Sequence, residues 1–266
     1  LSATVKVKAV KVDLRLGLEK KLEEYAAVEA PINIYVNGEH LVTLLATPTQ
    51  KRELAVGYLL DEGIVRDLNE IKEVWVKDGD VKVETKSNVK IRIQAARTAK
   101  IVTTACGSEG DFLKLLDRVD KPFVRSSYRV KAEDVVDMVR KLNLKSEIFK
   151  LTGGVHSAML FADGGLAAFS EDVGRHNAVD KVVGAAASKG VDFARSVIVT
   201  SGRQPADIVL KAARMGVPIL VSIRGPVHSG ILAAEKTGVT LICFARGQRM
   251  NIYTFPERIL RFTKLS

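Results

Sequence analysis

The sequence predicts an α/β fold in two parts: a smaller, strand-rich α+β domain over residues 1–125 and an α/β domain over residues 126–266. Three observations predict it. The first part is dominated by period-two alternation and turn signals, the mark of half-buried antiparallel strands. The second part alternates strands with helices over short connections, which implies a mostly parallel sheet with helices on both faces. The content of 47% hydrophobic and 27% charged residues is ordinary globular composition, and 266 residues can bury a substantial core.

Taken in order, residues 5–12 (VKVKAVKV) alternate apolar and basic side chains as a strand. INIYV (32–36), Asn37-Gly38 and HLVTLLA (40–46) form a hairpin, because Asn-Gly supplies the left-handed residues of a tight turn. A helix follows, with Thr47 or Thr49 as cap, Pro48 in its first turn, ELAVGYLL as its body and Gly63 at its end. IKEVWV (71–76), VKVETK (81–86) and VKIRIQ (89–94) continue as antiparallel strands. IVTTA (101–105) is a strand running into CGSEGD (106–111), and FLKLLDRV (112–119) is a helix capped by Asp111. Helix 132–142 sets Val135, Met138, Val139 and Leu142 on one face. A hairpin (157–170), a helix at about 177–188 and strand 196–201 come next. Helix 205–216, strand 217–223, helix 228–238 and strand 239–245 complete the alternation.

Composition narrows the function. No run of about 18 uncharged apolar residues exists, so no membrane span is expected, and the N-terminal stretch lacks an apolar signal core. Two cysteines, Cys106 and Cys243, are too few for a disulfide framework and fit a reducing cytoplasm. The net charge of +10 favours anionic partners, although a basic surface also suits a heat-stable soluble protein. The charge is spread out and aromatics are only 6%, so nucleic acid is not the expected partner. Zincin, paired C-x-x-C, nucleophile-elbow and P-loop motifs are all missing from the sequence.

Polar residues gather where strands become helices, the edge at which open α/β sheets bind ligands. Cys106 follows an apolar strand and sits in a Gly-flanked loop before a helix, a place that favours a thiolate. The same features also suit a small residue in a tight turn. Cys243, among Leu241, Ile242 and Phe244, reads as a core thiol. His156 follows Gly153-Gly154, where a ligand can approach the backbone, or else caps the turn. In EDVGRHN (171–177), Arg175 and His176 are suited to phosphate, with Lys181 one turn further on; salt bridges and capping are the plainer use of such a stretch. Arg203 in SGRQP opens a helix whose N-terminus is an anion seat. Phe244, Ala245, Arg246, Gly247, Gln248 and Arg249 follow the last strand and pair an aromatic with two arginines, the parts needed to stack a base and bind phosphates.

These segments resemble the FdhD family, the formate dehydrogenase accessory sulfurtransferases. The resemblance is carried by VNG (36–38), ELAVGYLLDEGIV (53–65), ACG (105–107), TGGVHSA (152–158), EDVGRHNAVDK (171–181), SGR (201–203), KAARMGVPIL (211–220) and FARGQRMNIYTFPERI (244–259). It implies a sulfurtransferase-type carrier that takes sulfur as a persulfide, here on Cys106, from a cysteine desulfurase. The sulfur then passes to the molybdenum or tungsten bis-guanine-dinucleotide cofactor of formate dehydrogenase. It also implies a cytidine-deaminase-like three-layer C-terminal domain and a homodimer. By resemblance Phe244 through Arg249 contact the guanine dinucleotide; from their chemistry and position, His156, Arg175, His176 and Arg203 are expected to complete the anionic pocket. The second helix start carries Ser201-Gly202-Arg203 and no cysteine pair, so zinc is not expected. The family's C-G-x-C-G is Cys106-Gly107-Ser108-Glu109-Gly110 here, with Glu109 at the second cysteine. A cofactor-binding chaperone without sulfur transfer is the alternative this raises.

Overall fold

The computed structural model describes residues 2–96 and 123–261. β1 (Thr4–Asp13) and β2 (Leu18–Ala27) form a two-stranded antiparallel ribbon. β3 (Ala30–Val36) and β4 (Glu39–Ala46) are the expected hairpin, with Asn37 and Gly38 both at positive φ. After α1 (Lys51–Asp61), β5 (Ile71–Lys77) and β6 (Asp80–Thr85) complete a four-stranded sheet of order β4-β3-β6-β5.

The second part begins with β7 (Val130–Lys131), α2 (Ala132–Lys145) and α3 (Glu147–Thr152). β8 (His156–Ala162) and β9 (Gly165–Asp172) form the next hairpin, followed by α4 (Arg175–Ala187) and β10 (Ser196–Thr200). Then come α5 (Ala206–Arg214), β11 (Ile219–Ser222), α6 (His228–Thr237), β12 (Thr240–Arg246), β13 (Arg249–Ile252) and β14 (Ile259–Leu260). The main sheet has the order β13-β12-β11-β10-β8-β9.

Four expectations need correction. The sheet is mixed: only β10, β11 and β12 run parallel, while the β8–β9 hairpin and β13 are antiparallel. Residues 90–96 are helical rather than a strand; the Asn88 side chain accepts from the Lys90 N–H, and that cap overrides the local alternation. α1 starts after Gln50, at φ 51° and without a side-chain cap, so Thr47 and Pro48 precede the helix. β2 and α3 had no counterpart in the sequence reading. The expected elements at 101–119 lie outside the described residues.

The main sheet divides its side chains by parity between two cores. Ala158, Leu160, Ile198, Leu220, Leu241 and Cys243 face α1, α4, α5, α6 and the four-stranded sheet. Met159, Phe161, Val197, Val199, Ile219, Val221 and Ile242 face α2, β7 and β14. Each fully buried branched side chain contributes roughly 1.5–3 kcal/mol. Two glycines join the sheets. A Cβ on Gly57 of α1 would lie 1.7 Å from the Asp180 carbonyl oxygen, and one on Gly184 of α4 would lie 2.0 Å from the Glu53 carbonyl oxygen. The two helices therefore cross backbone against backbone.

Candidate functional site

The parallel strands β10, β11 and β12 all end at one edge of the main sheet, where β8 begins, β9 ends and helices α4, α5 and α6 start. That edge assembles side chains far apart in sequence. His156 opens β8, and Arg175 and His176 open α4. Arg203 lies between β10 and α5, and Arg224 follows β11.

The electrostatics show that these groups converge. Burial holds the His156 imidazole below its ordinary range, and the charges of Arg175, Arg224, His176 and Arg203 push it the same way. The charges of Arg175, His176 and Arg203 thus act on one imidazole, His156, at the same sheet edge. The His156 Nδ1 lies 3.4 Å from the Ser201 hydroxyl, which accepts the Ser157 N–H at 2.9 Å. Arg175 lies against Gly202, where a Cβ would come within 2.9 Å of its own Cβ. Its Nε is buried and has no hydrogen-bond partner among the described residues. An unpaired guanidinium nitrogen among other cations is what an anionic ligand would satisfy. His176 Nε2 bonds Asp207 Oδ2 at 2.7 Å; burial works against the Asp207 charge, but His176 outweighs it and holds that carboxyl below its ordinary value.

A cavity of about 280 Å³ opens beside this cluster, lined among others by Asn143, Phe149, Gly154, His156, Ser201 and Arg224. Sequence reasoning missed Arg224 and Asn143. Arg224 had a signal, as the first charged residue after an apolar strand and just before Gly225-Pro226; Asn143 lies inside a helix and had none.

The remaining charged residues of 171–181 turn inward. Glu171 accepts the N–H groups of Ile148 and Phe149, both at 2.9 Å, and so anchors α3. Asp172 accepts from Gly174, Asn177 and Thr47 and pairs with Lys181 at 2.5 Å, both side chains being wholly buried. The Lys181 ammonium also donates to the Thr47 carbonyl oxygen at 2.9 Å, and desolvation lowers its pKa despite Asp172. Lys181 therefore fastens the start of α1 to α4 and does not reach a ligand.

The segment 244–249 forms the turn between β12 and β13. Phe244 takes φ 53° at a bulge, its N–H donates to the Arg224 carbonyl oxygen, and its ring covers Gly225. This places the turn beside Arg224. Arg246, Gly247, Gln248 and Arg249 are exposed, whereas the Ala245 side chain is buried in the second core and offers a ligand only its backbone. Cys243 is buried, and desolvation pushes its thiol up to about 12. It is inert as a nucleophile at neutral pH. Cys106 lies outside the described residues. Among the described residues, no three His, Cys, Asp or Glu side chains converge as metal ligands, and no helix is long and apolar enough to cross a membrane.

A model of the FdhD/NarQ family matches residues 27–260, from the last residue of β2 to the last of β14. The chain belongs to the FdhD/NarQ family. FdhD relatives named "Sulfur carrier protein FdhD" confirm the match. The one from Thermoplasma acidophilum is 38% identical over 88% of this chain and 86% of its own length. Those of Methanothermobacter thermautotrophicus and Shouchella clausii are 35% and 33% identical, each over 91% of this chain and over 94% and 92% of their own lengths. Among solved structures, a candidate formate dehydrogenase accessory protein from Desulfotalea psychrophila superposes with a TM-score of 0.78 at 28% identity, covering 97% of this chain and all of that one. The FdhD/NarQ match includes every site residue named above.

Proposed function

We propose that this chain is a cytoplasmic sulfur carrier for formate dehydrogenase. Its single carrying observation is the cation cluster at the sheet edge, with the Arg175 Nε buried and unsatisfied among the described residues, on a chain of the FdhD/NarQ family. The cargo is the molybdenum or tungsten bis-guanine-dinucleotide cofactor, whose phosphates meet Arg175, Arg203, Arg224 and His176. Its guanine lies near the turn from Phe244 to Arg249. The layered α/β part is read as cytidine-deaminase-like, and the molecule as a homodimer.

The Cys106 thiolate attacks the outer sulfur of a desulfurase persulfide. A new S–S bond forms on Cys106 and the donor cysteine leaves as thiolate. The outer sulfur then passes to the metal of the cargo, which supplies the two electrons, and Cys106 returns to thiolate. Glu109 provides no neighbouring thiol, so this direct handover replaces resolution by a disulfide. Because Cys243 is inert, Cys106 carries the chemistry.

Two measurements test this. Calorimetric titration with guanosine diphosphate should show binding that weakens about tenfold or more in Arg203→Ala; no binding by the native chain removes the cargo reading. Mass spectrometry after incubation with a cysteine desulfurase and cysteine should show about 32 Da added at Cys106, one sulfur atom. Unmodified Cys106, with maturation of formate dehydrogenase intact in Cys106→Ser, would instead establish a cofactor chaperone.

A further inference from the structure

Away from its base, the β1–β2 ribbon leaves its apolar side chains exposed among the described residues. Each strand has ten residues, a reach of roughly 33 Å. An isolated two-stranded ribbon is marginally stable at best. Both of its long edges are open among the described residues. Leu14, Leu16 and Leu18 at its tip are 91%, 68% and 61% exposed.

We propose that the open edge of β2 pairs antiparallel with the same edge of a second copy, about a two-fold axis at Leu22. The sequence Lys20-Lys21-Leu22-Glu23-Glu24 is a charge palindrome. Centred on Leu22, Lys21 opposes the partner's Glu23, Lys20 opposes the partner's Glu24, and Leu22 meets the partner's Leu22. β1 has no such pattern, because Lys6, Lys8 and Lys11 are its only charges before Asp13.

The backbone selects the same register. The Val28 N–H donates to the Ala3 carbonyl oxygen. Ladder bonds alternate along a strand, so even-numbered residues of β2 bond β1. Glu19, Lys21, Glu23 and Tyr25 therefore direct their N–H and C=O groups outward. Centred on Leu22, these outward residues face one another, 21 with 23 and 19 with 25, and about eight ladder hydrogen bonds form. An axis half a residue away pairs outward with inward groups. An axis at Lys21 or at Glu23 sets like charges opposite each other.

The tip also finds a seat. In this register Leu18 lies opposite the partner's Ala26, and the base of β2 packs on α3, with Ala27 beside Gly154. Leu14 and Leu16 thus reach the partner's Phe149 and the partner's Leu151, side chains that are 46% and 53% exposed in each copy. Phe149 lines the cavity, so each arm borders the other copy's site. This deepens the homodimer reading and rests on it.

Light scattering coupled to gel filtration of the full chain tests the interface. The native chain should run as a dimer. Lys20→Glu/Lys21→Glu and Glu23→Lys/Glu24→Lys should each run as monomers, with dimer affinity down at least about 100-fold. Mixing the two variants should restore a dimer, because every opposed charge is then complementary. Lys21→Pro removes an outward N–H without touching the β1 ladder and should also give a monomer with an unchanged circular dichroism spectrum. A monomeric native chain overturns the homodimer and the ribbon together. Dimers that persist in all three variants overturn the ribbon alone, and monomers that fail to recombine overturn the Leu22 register.

Discussion

Residues 171–181 and the loops around them hold charged side chains with two opposite fates. Asp172 and Lys181 are wholly buried and saturate each other, together with Thr47 and Asn177. Arg175, Arg203 and Arg224, drawn from three different connections, gather around His156 and disfavour the charged form of its imidazole. The comparison separates two uses of charge. A buried ion pair is costly to break because its survivor is stranded without water. A cluster of like charges is costly to hold together and is relieved by a counter-ion from outside. The first set serves the fold, and the second is the set that the proposed cargo would meet.

Breaking the buried pair should have the largest effect. Lys181→Met strands the Asp172 carboxylate and should cost about 3–5 kcal/mol, read as a fall in denaturation midpoint with nucleotide binding lost in parallel. An unchanged midpoint would remove the structural role. Arg203→Ala and Arg224→Ala act on the other set. Both residues are exposed, so each should weaken guanosine diphosphate binding about tenfold or more while leaving Tm nearly unchanged.

The next contrast is in pH. His156 titrates below its ordinary value of 6.5 because burial and neighbouring cations disfavour its charged form. A bound phosphate offsets those cations and favours the proton, so binding takes up protons and affinity rises as pH falls through the His156 midpoint. NMR titration of the imidazole should show that midpoint move up when guanosine diphosphate is added; no movement places the anion elsewhere.

The smallest effect is expected for Asp61→Asn, in a third set where Lys211 meets Asp61, Glu62 and Asp180 at 2.6, 2.8 and 2.9 Å. Burial, with Asp180 next in weight, raises the Asp61 carboxyl well above the usual range. Asp61→Asn keeps the shape and removes a charge that burial already disfavours, and should shift stability by less than about 1 kcal/mol, whereas Lys211→Met strands the remaining carboxylates and should destabilise severalfold more.

Most of the main sheet was legible because its strands alternate with helices whose apolar faces repeat, as in α5 with Ile208, Val209 and Ala212 buried. The ribbon strand β2 was not, since LEKKLEEYAA has the composition and spacing of a helix and only its partner β1 makes it a strand. The segment 89–94 failed in the opposite sense: V-K-I-R-I alternates like a strand, yet an Asn88 cap starts a helix. At the site, residue types were readable but their direction was not. His156, Arg175, His176 and Arg203 lie at one sheet edge, whereas Lys181, further along the same motif, points into the interior. Ala245 shows the same limit, because a sequence does not say which way a bulge turns a side chain.

The crossing at Gly57 and Gly184 has a bearing on how the molecule moves. Where side chains interdigitate, helices slide by trading one rotamer set for another. Here main chain rests on main chain, and there is no such cushion to rearrange. α1 and α4 are thereby welded into one block, and any travel that ligand binding requires falls to loops at its rim.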